Sequence, residues 1–481
     1  TVNRETCCSL VVMNGGTARI DPAFDTAQQQ WGFYFQDDIK LTRNLTLNLG
    51  MRYELETAPL EDQNRLVQQL NLAMPLPALA NNPPQMPSEV TSIANIPYSY
   101  NGTIVFANGS DRRMYMAPKA TYLPRAGLAL RLNDKTVLRT GWARYAVPMV
   151  AVHPEGGGIP TYGFSQDTPI LGPLQGVPRA FLSDPFPASN PIQLPKGTSL
   201  GDYTEVGNSV YWWNQSLHVP INDRINLSVQ RQAPFGFFTE GTFFMNFGHD
   251  VQDPSMWGGN YGFNMNQVDP NLVYKYKGAI DQSVANPFYG MPANIVPGSL
   301  GIQPEISVRN LLRPYPQYGD LTEYAWPGVT DHYYALQLSA ERPMSHGFYF
   351  LLAYNYNHEY HSQYFNDIDT YNNKFTMMDR GNPRHSLRAA GTWEVPVGRG
   401  RQFLSNANRF VDAFLGGWST SSLWMFNSGG LLMFGQADVS GDPRQNVPSG
   451  YYFNPSVFAV SGAYTPRTNP WYYNGLRGPS F

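Results

Sequence analysis

Residues 45–55 read Leu45-Thr46-Leu47-Asn48-Leu49-Gly50-Met51-Arg52-Tyr53-Glu54-Leu55, with an apolar side chain at every odd position and a polar, small or charged one at every even position. A period of two marks a strand with two unlike faces. The stretch is also about as long as a tilted strand must be to cross a bilayer, roughly 9–11 residues, so its apolar side suits lipid as well as a protein core.

The stretch before it has the same character. Trp31 to Thr42 sets Trp31, Phe33 and Phe35 against Tyr34, Gln36 and Asp38, and Arg43-Asn44 turns the chain into the strand at Leu45. This predicts a tight hairpin. Further hairpins follow at 125–132 with 136–146, at 224–232 with 237–247, at 334–341 with 348–356, and at 387–395 with about 417–434. Between them periodicity is lost over about 59–112, 147–222, 249–330 and 357–385, where Pro, Gly and Asn accumulate. These four stretches are expected to be long irregular loops, and residues 1–29 an irregular lead-in.

Short turns at one end and long loops at the other are the layout of a transmembrane β-barrel rather than of a sandwich, whose loops are moderate at both ends. Aromatic residues Trp31, Tyr53, Trp142, Trp393, Trp418 and Trp424 fall near the expected strand ends, as an interfacial girdle would. The opposite faces carry Arg52, Glu54, Arg125, Arg131, Gln230, Glu240 and Glu341. Such groups are costly in a dry core and natural in a wet lumen. The fold class read from the chain is therefore all-β, an antiparallel transmembrane barrel seen in part.

Composition agrees. Of 481 residues only 14% are charged and 14% aromatic, with 44 Gly and 40 Pro, which suits a turn-rich β protein. The net charge of -3 and the scattered Lys and Arg exclude a basic nucleic-acid footprint. No apolar run approaches the roughly 18 residues of a membrane helix, whereas alternating strands hide a membrane protein in an average composition. Cys7 and Cys8 are adjacent and would point to opposite sides of a strand, so no bridge between them is expected.

The segment Trp31 to Glu54 resembles the barrel hairpin of TonB-dependent outer-membrane receptors, in which an aromatic Gln-Asp strand leads into a Leu-Thr-Leu-x-x-Gly-x-Arg-Tyr-Glu strand. Other segments resemble the Oar-like branch of that family, whose members carry a carboxypeptidase-regulatory-like domain. They are Pro124-Arg125-Ala126-Gly127, Asn286-Pro287-Phe288-Tyr289-Gly290, Leu312-Arg313-Pro314-Tyr315-Pro316-Gln317, Pro383-Arg384-His385, Val395-Pro396-Val397-Gly398-Arg399-Gly400, Gly416-Gly417-Trp418 and Phe426-Asn427-Ser428-Gly429. In order they cover most of residues 30–481. The resemblance implies a bacterial outer-membrane location and energised uptake of a bulky nutrient such as a siderophore, a glycan or a peptide. It also implies a plug segment that meets a TonB-type energy-coupling complex. A signal peptide, that plug and further strands are expected outside this sequence, making it an internal piece of a barrel. A passive porin-like or adhesive barrel is the alternative, and a secreted carbohydrate-binding sandwich a more distant one.

On this reading Leu45, Leu47, Leu49, Met51 and Tyr53 face lipid. The loop aromatics Tyr211, Trp212, Trp213, Trp257, Tyr261, Tyr324 and Trp326 are candidates to stack on a planar ligand, or else pack loop against loop. No catalytic residue, metal site or cofactor is expected. Asn427-Ser428-Gly429-Gly430 lacks a base and an orienter, so it is not a serine nucleophile. In a strand, His358 and His361 point to opposite faces and cannot share an ion. Asp438 to Asp442 lacks the ligand run of a calcium loop.

Overall fold

The computed structural model describes residues 16–118, 121–148, 158–170, 180–251, 262–364, 367–433, 437–460 and 472–477. Cys7, Cys8, Trp257 and Tyr261 lie outside the described residues. Eleven strands form one antiparallel sheet. They are β1 (Gln30–Lys40), β2 (Leu45–Glu56), β3 (Thr121–Asn133), β4 (Thr136–Ala146), β5 (Ile221–Gln232), β6 (Phe238–His249), β7 (Thr330–Ser345), β8 (Phe348–Tyr364), β9 (Phe375–Asp379), β10 (His385–Glu394) and β11 (Ser419–Asn427). Each pairs with its neighbour in sequence, except that β8 pairs with β10 along its first half and with β9 at its far end. Among the described residues the sheet is open, with β1 and β11 as its edges.

Registers across the sheet show why alternation in each strand matters. From β2 to β11 one hydrogen-bonded row runs Leu45, Leu130, Leu138, Val229, Gly241, Leu338, Tyr354, Leu387 and Phe426. One residue along each strand, on the opposite face, the row is Thr46, Ala129, Arg139, Ser228, Thr242, Gln337, Asn355, Ser386 and Asn427. A one-residue slip in any strand would exchange the two sets, so surroundings that accept only the apolar face would pin every register. Leu45, Leu47, Leu49, Met51 and Tyr53 share the apolar face, as do Trp31, Trp142, Trp393, Trp418 and Trp424 by the same parity. Toward the loop end Tyr53 packs between Phe33 and Tyr122, with ring centroids 6.3 and 5.4 Å away.

At one end the chain turns within residues 41–44, 134–135, 233–237 and 346–347. His346 and Gly347 both have positive φ, 52° and 74°, the geometry whose twist matches a two-residue hairpin. The β10–β11 connection is the exception, spanning 395–418 and holding a short helix, α1 (Arg409–Leu415).

At the other end the described parts of three excursions, 57–120, 147–220 and 250–329, fold together. The largest fully buried side chains, including Trp213, Tyr115, Tyr318, Phe288 and Leu66, all lie in these excursions. One core cluster takes Val67, Leu76 and Leu79 from the first, Val206 and Trp212 from the second, and Phe288, Leu311 and Tyr318 from the third. Val210–Trp213 pairs in parallel with Leu321–Tyr324, which pairs on its other side with Gly262–Asn264. Polar groups cross between excursions: Tyr318 Oη donates to the Gly102 carbonyl (2.5 Å), and Gln215 Nε2 donates to the carbonyls of Gln68 (2.8 Å) and Met114 (3.0 Å). Hydrophobic burial, not the sheet, thus organises this end into a cap.

Three expectations change. The described parts of the first three long loops are packed on one another, because their scattered apolar residues meet across excursions rather than along one strand. The 357–385 stretch is partly strand, since β8 continues to Tyr364 and β9 pairs with its extension. Within the lead-in, Gly16–Ile20 pairs with Gln166–Ile170 and Thr26–Ala27 with Leu60–Glu61, so the described part of that segment is bound to the cap by backbone hydrogen bonds.

Candidate functional site

The site is built from the polar face of the sheet and the cap at its loop end. Strand alternation aims Gln36, Asn48, Arg125, Arg224 and Asn226 into a cleft of about 350 Å³, with Gly127 and Gly141 opposite each other in its wall. The two glycines leave a floor without side chains between the two cations. Arg224 Nε donates to Asn246 Oδ1 (3.2 Å), and its guanidinium lies 4.9 Å from the Tyr145 ring centroid. A second cleft, about 440 Å³, is lined by Glu240, Thr242, Gln337, Ser339, Asn355 and Arg388. There Glu240 Oε1 accepts from Ser228 Oγ (2.8 Å), Gln230 Nε2 (3.2 Å) and Thr242 Oγ1 (3.2 Å). Further toward the cap, Arg52 Nε lies 2.5 Å from Glu54 Oε1. The face is a hydrogen-bonding wall able to hold polar or anionic groups.

Where this wall meets the cap, Glu61 is fully buried and takes four hydrogen bonds. Arg65 Nε (2.9 Å) and Nη2 (2.5 Å) reach Oε1, and the Gln63 and Arg65 amides (2.8 and 2.7 Å) reach Oε2. Burial pushes this carboxyl up, but the Arg65 guanidinium and the two amides outweigh it, and its pKa falls below the ordinary carboxylate value. Glu323 has the opposite fate. It stands between Trp212 and Phe263 in the cap sheet, and burial pushes its pKa up to about 7. Burial also raises Glu205, against the opposing hydrogen bond from Asn208 Nδ2 (2.8 Å). Sequence inspection missed both glutamates, because burial of a lone carboxylate leaves no local signature.

The loop aromatics are brought together, but into the cap core. Trp213 and Trp212 are 0% and 4% exposed and Tyr324 5%. Trp213 packs on Tyr115 and Tyr324 at 6.2 and 5.9 Å, and Tyr211 packs on Tyr324 and Tyr162 at 5.1 and 5.4 Å. Half-buried Trp326 packs on Phe263 at 4.9 Å and donates Nε1–H to Asn373 Oδ1 (3.1 Å). Of the two roles the sequence leaves open for these five rings, ligand contact or loop-against-loop packing, the contacts in this structure are with other loop residues. The run Val210-Tyr211-Trp212-Trp213, apolar without alternation, was the available sign of a strand covered on both faces. Among the described residues of the three excursions Tyr289 stays open to solvent, 56% exposed, and Tyr371, between β8 and β9, is 38% exposed.

Other motifs are absorbed locally. His358 Nε2 sits 3.0 Å from Asp379 Oδ2, which also takes Arg384 Nη2 at 2.7 Å, while His361 is buried on the opposite face of β8. No group of three or more potential metal ligands occurs among the described residues. Ser428 Oγ accepts the His385 amide (3.0 Å) at the exit from β11. Asp442 is bound by Arg444 Nε and Nη2, both at 2.9 Å.

A next-neighbour antiparallel sheet with one apolar and one polar face, short-turned at one end and capped at the other, defines the β-barrel class of membrane protein. Residues 11–481 match the family described as outer membrane beta barrel domain, and the chain belongs to that family. Its place is the outer membrane of a Gram-negative bacterium. No curated protein sequence matches the chain. Among solved structures it is similar to the outer membrane transporter YddB from Escherichia coli (TM-score 0.38, 9% identity, covering 88% of this chain and 36% of that one). It is similar as well to the ferripyoverdine receptor of Pseudomonas aeruginosa (0.34, 9%, 88% and 30%) and to the alcaligin receptor FauA from Bordetella pertussis (0.31, 10%, 79% and 36%). The chain thus spans about a third of the length of the structures it matches.

Proposed function

We propose that this chain is part of an Oar-like TonB-dependent receptor, taking up a bulky nutrient such as a siderophore, a glycan or a peptide with energy passed from the inner membrane. Residues 30–481 form barrel wall and cap, and a plug segment outside this sequence meets the energy-coupling complex. Leu45, Leu47, Leu49, Met51 and Tyr53 face lipid, and the polar face lines the lumen. The observation that carries this reading is the cap. Three excursions with a common buried core stand over a polar wall with two clefts, an arrangement suited to catching a large solute before it enters. The open edges that β1 and β11 present among the described residues support a place within a longer barrel.

The test is growth of the parent bacterium on a panel of ferric siderophores, glycans and peptides after deletion of this gene or of the inner-membrane energy-coupling genes. Loss of growth on one nutrient in both deletions is expected. Steady open-pore conductance of the intact protein in a planar bilayer, together with unchanged uptake when the coupling genes are absent, would overturn it in favour of a passive pore.

A further inference from the structure

The β10–β11 connection is unlike the other turns at its end. The others close within two to five residues, whereas this one takes residues 395–418 and folds around α1. Asn408 caps α1 by accepting the Val411 amide (2.9 Å), and Asp412 Oδ1 accepts the Arg399 amide (2.6 Å), which ties the polar side of the helix to the turn. Its other side is a stripe of Phe410, Phe414 and Leu415, spaced i, i+4 and i+5. These side chains are 82%, 76% and 49% exposed, although each would ordinarily be buried.

The stripe is joined to the apolar face of the sheet. Trp418 lies two residues before Thr420, the register partner of Trp393, so both indoles belong to that face. Trp418 Nε1–H donates to the Phe414 carbonyl at 2.8 Å, fastening the C-terminal end of α1 beside it. Phe403, in the same connection, is also 56% exposed. Arg399 and Arg409 are exposed and stand in none of the ion pairs among the described residues. A further strand is a poor occupant, because a helix presents no extended strand edge to pair. Apolar chains beside unpaired arginines, continuous with a face directed to lipid, match the boundary between acyl chains and phosphates.

We propose that residues 399–418 form an interfacial foot, with α1 lying in the phospholipid leaflet at the short-turn end, Phe410, Phe414 and Leu415 entering the acyl region, and Arg399 and Arg409 set against lipid phosphates. The inference rests on the reading that the apolar face meets lipid. It is tested with nitroxide labels placed singly at Phe410, Phe414, Ser405 and Leu227, in protein whose Cys7 and Cys8 are replaced by Ser, in phosphatidylethanolamine–phosphatidylglycerol vesicles. The ratio of oxygen to nickel-chelate accessibility at 410 and 414 should be several-fold above that at 405 and approach that at 227. A ratio at 410 and 414 equal to that at 405 would overturn the foot and leave the lipid face standing. Exclusion of both reagents there would overturn it in favour of a covering protein segment. A water-like ratio at 227 would instead sink the lipid-face reading and the foot with it. In unlabelled protein, Trp418→Phe should remove part of the fluorescence quenched by lipids brominated near the headgroup, and unchanged quenching would contradict the foot.

Discussion

Leu227→Arg should destabilise the protein in a membrane far more than Asn226→Arg, although the two positions adjoin. Leu227 is 46% exposed on the apolar face of β5, flanked by Thr140 and Phe243, and it lies midway between Asp223 and Arg231, the charged residues that end the apolar run on that face. At roughly 3.3 Å per residue, four residues separate Leu227 from either charge by about 13 Å along the strand, which puts it near the bilayer centre. An arginine at the midplane of a barrel's lipid face costs about 2–4 kcal/mol, or roughly 30- to 900-fold in the folding equilibrium. Asn226 opens into the polar cleft, where an arginine stays hydrated and should cost under about 1 kcal/mol. The same contrast is expected between Leu47, which stands in a row with Ile39 and Leu128, and Asn48. Urea titrations in lipid vesicles followed by tryptophan fluorescence measure the difference. Equal losses at the two positions, or a larger loss at Asn226, would refute the assignment of faces.

Removing the Glu61 carboxylate leaves Arg65 without its buried partner, and Glu61→Ala should cost about 3–5 kcal/mol, read as lost hydrogen-exchange protection in the cap but not in β5 and β6. Because the folded pKa of Glu61 is lowered, its contribution is present above the ordinary carboxylate pKa and is lost as pH falls through the folded value; Glu61→Gln should flatten that acid limb. Glu323 has the reverse sign: its folded pKa, about 7, exceeds the ordinary 4.5, so cap stability should fall as pH rises from about 4.5 to 7, by at most about 3 kcal/mol, and level off above. Glu323→Gln should abolish that slope in hydrogen exchange measured across the range. Gly102 has φ +121°, and a Cβ there would meet the Tyr318 ring at 3.0 Å, so Gly102→Ala should cost about 1–3 kcal/mol in thermal melts of the cap.

How legible each part was in the sequence follows from what kind of contact holds it. Strands such as β2 and β4 are visible because each residue's environment depends on its parity alone, and the hairpins at Arg43-Asn44 and His346-Gly347 are announced by turn residues. The cap is not, because Val67, Val206 and Phe288 belong to one core while lying more than a hundred residues apart in two of the three intervals. The last third of β8 was also hidden. Beyond His358 both faces carry polar or aromatic residues, since there the strand meets β9 and the cap rather than one apolar and one wet side. The polar wall was legible residue by residue through Arg125, Glu240 and their neighbours, whereas the clefts depend on registers that no single strand contains. The aromatics of the cap were visible as a group, but whether a ring is core or contact is decided by what folds over it.

The central claim is that this sheet is a two-faced membrane wall, and a cysteine scan along β5 tests it most directly. With Cys7 and Cys8 replaced by Ser, single cysteines from Asn222 to Gln230 are exposed in lipid vesicles to a water-soluble, membrane-impermeant thiol reagent. Reaction at 224, 226 and 230 with protection at 225, 227 and 229 is the predicted result. Uniform reactivity, or protection with the opposite parity, would contradict the account.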